Sequence, residues 1–95
     1  MKLTIEWMSQ LREGAGMARQ AIDCPDGTHL NEVLEQVLTE LQPARAAALR
    51  LLLMVGEHRS SALLVAVDGV QIAPDQDPVL SPGATLLLSS PIAGG

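Results

Sequence analysis

Apolar and polar residues alternate at the start of the chain, where Leu3, Ile5 and Trp7 interleave with Lys2, Thr4 and Glu6. A period of two predicts a strand with one buried face. Ala18 to Cys24 repeats the pattern more weakly, with Ala21 and Ile22 as its apolar members. Gly14 and Gly16 lie between the two segments and predict a turn, so that the strands form a hairpin. Pro25-Asp26-Gly27 is turn chemistry as well, because proline fixes φ and glycine accepts positive φ. The period then changes. Leu30, Val33, Leu34, Val37, Leu38 and Leu41 share one helical face, with Asn31, Glu32, Glu35, Gln36 and Glu40 opposite, which predicts an amphipathic helix. Thr28 is its expected N-cap and Pro43 its stop.

Ala44 to Val55 is rich in good helix formers, so a second helix is expected there, although Leu51-Leu52-Leu53-Met54-Val55 would also suit a buried strand. Gly56 to Ser61 reads as a polar loop. Ala62 to Val67 is a strand ending in the turn Asp68-Gly69, and Val70 to Ile72 a short return strand. Pro74 to Pro78 reads as loop, Val79-Leu80 as an apolar pin, Ser81-Pro82-Gly83 as a turn, and Ala84 to Ser89 as the last strand. Two hairpins flanking a crossover helix predict an α+β fold, with a mixed four- to five-stranded sheet packed against one main helix. The first and last strands then lie side by side, parallel, at the centre. Residues 1–90 are expected to form the domain and residues 91–95 a flexible tail.

Composition narrows the function. A chain of 95 residues is the size of one domain. With no Phe, no Tyr and one Trp, its core must be aliphatic, and few rings are left for base stacking. A net charge of −5 also opposes contact with phosphates, so neither feature suits nucleic-acid binding, while basic protein surfaces are suitable partners. Cys24 stands alone, which rules out an internal disulfide and a cysteine-pair zinc site. No apolar run is long enough to cross a membrane, and a reducing cytoplasm is the expected location. His29 and His58 lack metal-ligand spacing and are expected in capping or solvated positions. Ser60-Ser61 and Ser89-Ser90 have no recognisable base beside them, and no glycine-rich phosphate loop is present. Cys24 is expected to be a small, half-buried residue. The chain is not expected to be catalytic alone or to hold a cofactor.

The chemistry concentrates in Pro91-Ile92-Ala93-Gly94-Gly95. A terminal carboxylate has a pKa of about 3.5 and is an anion at neutral pH, hence a poor electrophile. Adenylation solves this: ATP converts one carboxylate oxygen into part of an AMP leaving group, which sulfur or an amine can then displace at the carbonyl of Gly95. A partner enzyme must supply that step. Neither glycine carries a Cβ, so the end can thread a narrow channel, and residues 90–95 reach about 20 Å when extended. Pro91, Ile92 and Ala93 are the expected docking groups beside Gly94 and Gly95. On the body, Leu86 and Leu88, or else Leu87, are expected to present an outward apolar patch to the partner. Alternation leaves that choice open, because all three are apolar.

Leu11-Arg12-Glu13 with Gly16, Val67-Asp68-Gly69, Leu80-Ser81-Pro82-Gly83 and Pro91-Ile92-Ala93-Gly94-Gly95 together resemble the ubiquitin-like sulfur carriers, in particular the small subunit of molybdopterin synthase. The resemblance covers most of the chain, and its most specific element is the diglycine end. It implies a β-grasp fold and adenylation of Gly95 by a ubiquitin-activating-type adenylyltransferase that consumes ATP. Sulfide then replaces AMP, leaving a terminal thiocarboxylate. It further implies insertion of the tail into the large subunit of molybdopterin synthase, which holds the pterin precursor. Carriers for thiamin, cysteine or tRNA thiolation share this tail logic. So do protein modifiers, in which Gly95 is joined to a lysine of another protein; a binding module with an inert tail is a further alternative.

Overall fold

A computed structural model describes residues 1–90; the expectations placed on Pro91, Ile92, Ala93, Gly94 and Gly95 lie outside the described residues. Ten elements follow one another as β1 (Lys2–Trp7), α1 (Gln10–Ala15), β2 (Arg19–Asp23), α2 (Leu30–Glu40), α3 (Pro43–Leu53), β3 (Met54–Val55), β4 (His58–Arg59), β5 (Leu64–Val67), β6 (Val70–Ile72) and β7 (Thr85–Ser89). Five strands form one sheet in the order β2-β1-β7-β5-β6, and β3 and β4 form a separate hairpin. The β1–β7 pair is parallel, with Thr4 opposite Thr85 and Trp7 opposite Leu88, while the other pairs are antiparallel. The expected mixed sheet with a central parallel pair is therefore present.

One face of the sheet supplies Leu3, Ile5, Trp7, Ile22, Val65, Leu86 and Leu88 to the core, and α2 meets it with Leu30, Val33, Leu34, Val37 and Leu38. Alternation in the strands and the 3.6-residue period of α2 bring these two apolar surfaces together, which removes both from water. Trp7, the only aromatic residue, is completely buried, and its indole N–H donates to Gln20 Oε1 at 3.2 Å. That partner removes the cost of burying a lone donor.

Three local expectations are corrected. The segment after β1 is a short helix rather than a turn. Leu11 and Ala15 bury its inner face, and Gly16 ends it at φ 77° with its N–H on the Arg12 carbonyl. Arg45 of α3 completes this C-cap by donating from Nη1 to the carbonyls of Glu13 and Gly14, each at 3.1 Å, so a cation sits at the negative end of the helix. Secondly, the N-cap of α2 is His29, not Thr28. Thr28 Oγ1 instead donates to the Pro25 carbonyl at 2.6 Å, closing the preceding turn. Thirdly, Gly56 to Ser61 is no simple polar loop, because it carries the hairpin partner strand β4 and the buried Arg59. The expected second helix is found as α3, and only Met54 and Val55 of the ambiguous apolar run are extended. Pro43 both follows the end of α2 and opens α3 at its first turn, where its missing N–H costs nothing.

Arg59 ties the second half of the molecule to the first. Its Nη1 donates to Asn31 Oδ1 at 2.7 Å and to the Gln76 carbonyl, and Nη2 to the Ala73 carbonyl at 2.7 Å. Burial pushes its pKa down, while Asp77 and Asp75 oppose that shift. The loop it holds in turn satisfies the first turn of α2: the Pro78 carbonyl accepts from Leu30 N–H at 2.9 Å, and Asp77 Oδ1 from Asn31 N–H at 2.8 Å. Those donors have no partner within their own helix.

Candidate functional site

The last strand is the axis of the sheet. β7 lies between β1 and β5, and its Leu88 carbonyl accepts from Met8 N–H at 2.9 Å. Ser89 Oγ lies 3.3 Å from Ser9 Oγ, at the corner where β1 gives way to α1. Ser9 occupies φ 55°, a conformation that L residues seldom adopt, and such strain persists only where surrounding structure enforces it. The middle strand of the sheet thus ends at Ser89, between Ser9 at the β1–α1 corner and Leu64 at the start of β5.

Register decides which leucine faces outward. Leu86 and Leu88 are wholly buried and belong to the core, so the expectation that they contact a partner is corrected. Their neighbour Leu87 points to the opposite face, opposite Glu6 on β1 and Ala66 on β5. Leu64, 47% exposed, lies opposite Ser89 on the same face. Together Leu64, Ala66 and Leu87 line a shallow apolar depression bounded by Gly69 and Gln71. Towards β1 and β2 the face becomes charged: Glu6 pairs with Arg19 at 3.1 Å, and Arg12 reaches the Trp7 carbonyl from α1. An apolar depression with a polar border, placed on the final strand, can dock a protein surface.

Asp68 precedes Gly69, which borders the depression, in the turn between β5 and β6. It occupies φ 49° and Gly69 φ 84°, the two positive values that a tight hairpin turn of the primed type requires. Its carboxylate accepts from Thr85 N–H at 2.9 Å, and its own N–H donates to the Thr85 carbonyl at 2.9 Å. One turn residue therefore fixes the β5–β6 hairpin against the beginning of β7.

The side chains with reactive potential are dispersed. His29 begins α2, where Glu32 Oε1 lies 3.2 Å from its ring and accepts from its backbone N–H at 3.1 Å. His58 is exposed on β4. Cys24 is 4% exposed, and burial raises its pKa, which keeps the thiol protonated and poorly nucleophilic. Among the described residues no three His, Cys, Asp or Glu side chains come together in a way that could hold a metal ion, and no helix is long and apolar enough to cross a membrane. The corner at Ser9, the buried Arg59 and the outward Leu87 were not distinguished by sequence reasoning. The first carries no composition signal, Arg59 lies in a polar run, and Leu87 sits in a uniformly apolar one.

Sheet order, crossover helix and central parallel pair define a β-grasp, ubiquitin-like fold. Solved structures share it along the whole chain. SAMP1 from Haloferax volcanii superposes with a TM-score of 0.79 at 18% identity, with 100% of each chain covered. The small archaeal modifier protein 1 of Methanosarcina acetivorans gives 0.73 at 16% identity, covering 99% of this chain and 96% of the other. Molybdopterin converting factor, subunit 1, from Pyrococcus furiosus gives 0.70 at 18% identity, covering 97% and 99%. At these identities the likeness is one of fold. No protein-family model and no curated protein matches the chain.

Proposed function

We propose that the chain is a sulfur carrier whose reactive group is the carboxylate of Gly95. A partner adenylyltransferase of the ubiquitin-activating type joins that carboxylate to the AMP moiety of ATP and releases pyrophosphate. Sulfide then attacks the Gly95 carbonyl, the bond to AMP breaks, and AMP leaves with its oxygen, so that a thiocarboxylate remains. Transfer of that sulfur and addition of water regenerate the carboxylate. The observation that carries this reading is the central β7, which carries Leu87 of the outward depression with Leu64 and Ala66, and after which the sequence runs through Ser90 to Pro91-Ile92-Ala93-Gly94-Gly95. In this arrangement the depression docks the activating enzyme while Pro91, Ile92, Ala93 and Gly94 line its channel. The sulfur acceptor that fits the tail resemblance is the pterin precursor held by the large subunit of molybdopterin synthase. An ATP-dependent step and a lone cysteine favour a cytoplasmic setting.

Intact-mass measurement after incubation with ATP, sulfide and a candidate activating enzyme tests this. The expected result is a gain equal to the exchange of one oxygen for one sulfur, lost on deletion of Gly95 or on its extension by one residue. An unchanged mass with an activating enzyme that adenylates the chain, or full pathway activity in the extended variant, overturns it.

A second reading has its own support, since the fold is shared with the small archaeal modifier protein 1 of Methanosarcina acetivorans, a protein named as a modifier. In it a lysine amine, not sulfide, displaces AMP from Gly95. Isopeptide-linked adducts containing the terminal Gly94-Gly95 remnant identify that outcome.

A further inference from the structure

Helix α3 has two apolar faces and only one of them is covered. Arg45 and Arg50 are its only polar residues. Leu49 and Leu53 are fully buried against α1 and α2. On the side turned away from the core, Ala44, Ala47, Ala48, Leu51 and Leu52 recur at helical spacing, and all are exposed. Val55 of β3, the element that follows α3 directly, is exposed as well. Leu51 is 82% exposed and Val55 67%, among the most exposed large apolar residues described. A helix that is apolar all round is ordinarily buried all round, and exposed apolar surface of this continuity marks a binding face.

The border of the stripe is acidic. A groove between α2 and the α3–β3 junction, floored by Met54, is lined by Glu32, Glu35 and Glu57 against the single cation Arg50. Arg50 is already engaged, donating from both terminal nitrogens to Glu35 at 2.8 Å. Glu57, together with Glu32, whose Oε1 also accepts from the His29 backbone N–H, therefore leaves the groove with a local negative field, in a chain whose net charge is −5. A second copy would bring the same carboxylates against it, and an anionic lipid surface would be repelled in the same way.

We infer that this surface docks a basic amphipathic segment of a partner protein, whose apolar side packs on Leu51, Leu52 and Val55 and whose Lys or Arg enters the Glu32–Glu57 groove. It lies on the helical side of the molecule, across the core from the outward sheet face, so both can be occupied at once. The inference is independent of any chemistry at Gly95 and stands or falls separately from it.

The test uses the full chain, isotopically labelled, titrated with two synthetic helical peptides that carry leucines along one face and either lysines or glutamates on the other. With the leucine–lysine peptide, amide shifts are expected to cluster between Ala44 and Glu57 and at Asn31 to Glu35 across the groove, and the leucine–glutamate peptide is expected to cause none. Leu51→Ser should weaken binding about tenfold or more with an unchanged melting temperature, and Glu57→Gln about threefold, with added salt reducing the difference. Shifts spread over the sheet face or over remote carboxylates overturn the inference. So does undiminished binding by Leu51→Ser, a dimer in sedimentation that is abolished by Leu51→Ser, or tighter binding to anionic vesicles than to the basic peptide.

Discussion

Arg59 Nη1 donates to Asn31 Oδ1 at 2.7 Å across a sequence separation of 28 residues. This contact joins the β3–β4 hairpin to the first turn of α2, and the same guanidinium holds the loop that caps that turn. Replacing Arg59 by Met keeps most of its volume but strands the carbonyls of Ala73 and Gln76 and the Asn31 side chain. Urea unfolding should show a loss of about 2–3 kcal/mol. A double-mutant cycle with Asn31→Ala should recover about 1 kcal/mol of coupling; additive losses would contradict a direct contribution from this pair.

Adjacent leucines in β7 should behave oppositely. Leu88→Ala opens a cavity in the fully buried core and is expected to cost about 2–5 kcal/mol in urea unfolding. Leu87→Glu lies on the outer face and should change stability by less than about 1 kcal/mol. On the proposed function its effect belongs to docking instead: ATP–pyrophosphate exchange catalysed by the proposed activating enzyme should fall about tenfold or more.

The close approach of α1 to α3 leaves no room at Gly14. A Cβ there would lie 2.8 Å from Leu49 Cδ2. Alanine ordinarily favours a helix over glycine by about 1 kcal/mol, yet Gly14→Ala is expected to lower stability here by about 1–2 kcal/mol because the buried Leu49 must shift. Combining it with Leu49→Ala should cost less than the sum of the two changes, as judged from denaturation midpoints.

Strain at the β1–α1 corner makes a prediction of the opposite sign. Ser9 holds φ 55°, which glycine adopts freely, so Ser9→Gly should raise thermal stability by about 1 kcal/mol. A lowered melting temperature would mean that the Ser9–Ser89 contact outweighs the backbone term.

The Glu35–Arg50 pair predicts a pH dependence. The hydrogen bond from Arg50 lowers the Glu35 pKa, so the folded state binds its proton less readily than the unfolded chain does. The pair's contribution is present above the ordinary glutamate pKa and is lost as pH falls through the depressed folded value. Both side chains are more than a third exposed, and screening keeps the contribution small. The denaturation midpoint of Glu35→Gln should therefore lie slightly below that of the parent at neutral pH and converge with it in acid.

Much of this architecture is legible in local pattern. Alternation in Lys2–Trp7 gives β1, the spacing of Leu30 to Leu38 gives α2, and Asp68-Gly69 gives the turn between β5 and β6, because periodicity and turn chemistry act over a few neighbouring residues. Two apolar terminal strands around a crossover helix then imply their parallel pairing. Helix α1 was less legible, since six residues containing a glycine form a helix here only with Leu11 and Ala15 buried and Arg45 capping from α3. The spacing of Leu11 and Ala15 before Gly16 was the signal available.

Sequence by itself determined where the chain alternates, where it turns through 3.6 residues, and which residues follow the final strand. Tertiary structure alone decided that Leu87 faces outward between Leu86 and Leu88, that Arg59 is buried, and that one apolar side of α3 stays open to solvent. An apolar run carries no phase of its own. Its phase comes from the register with β1 and β5, and a charged side chain becomes buried only where distant carbonyls converge to receive it.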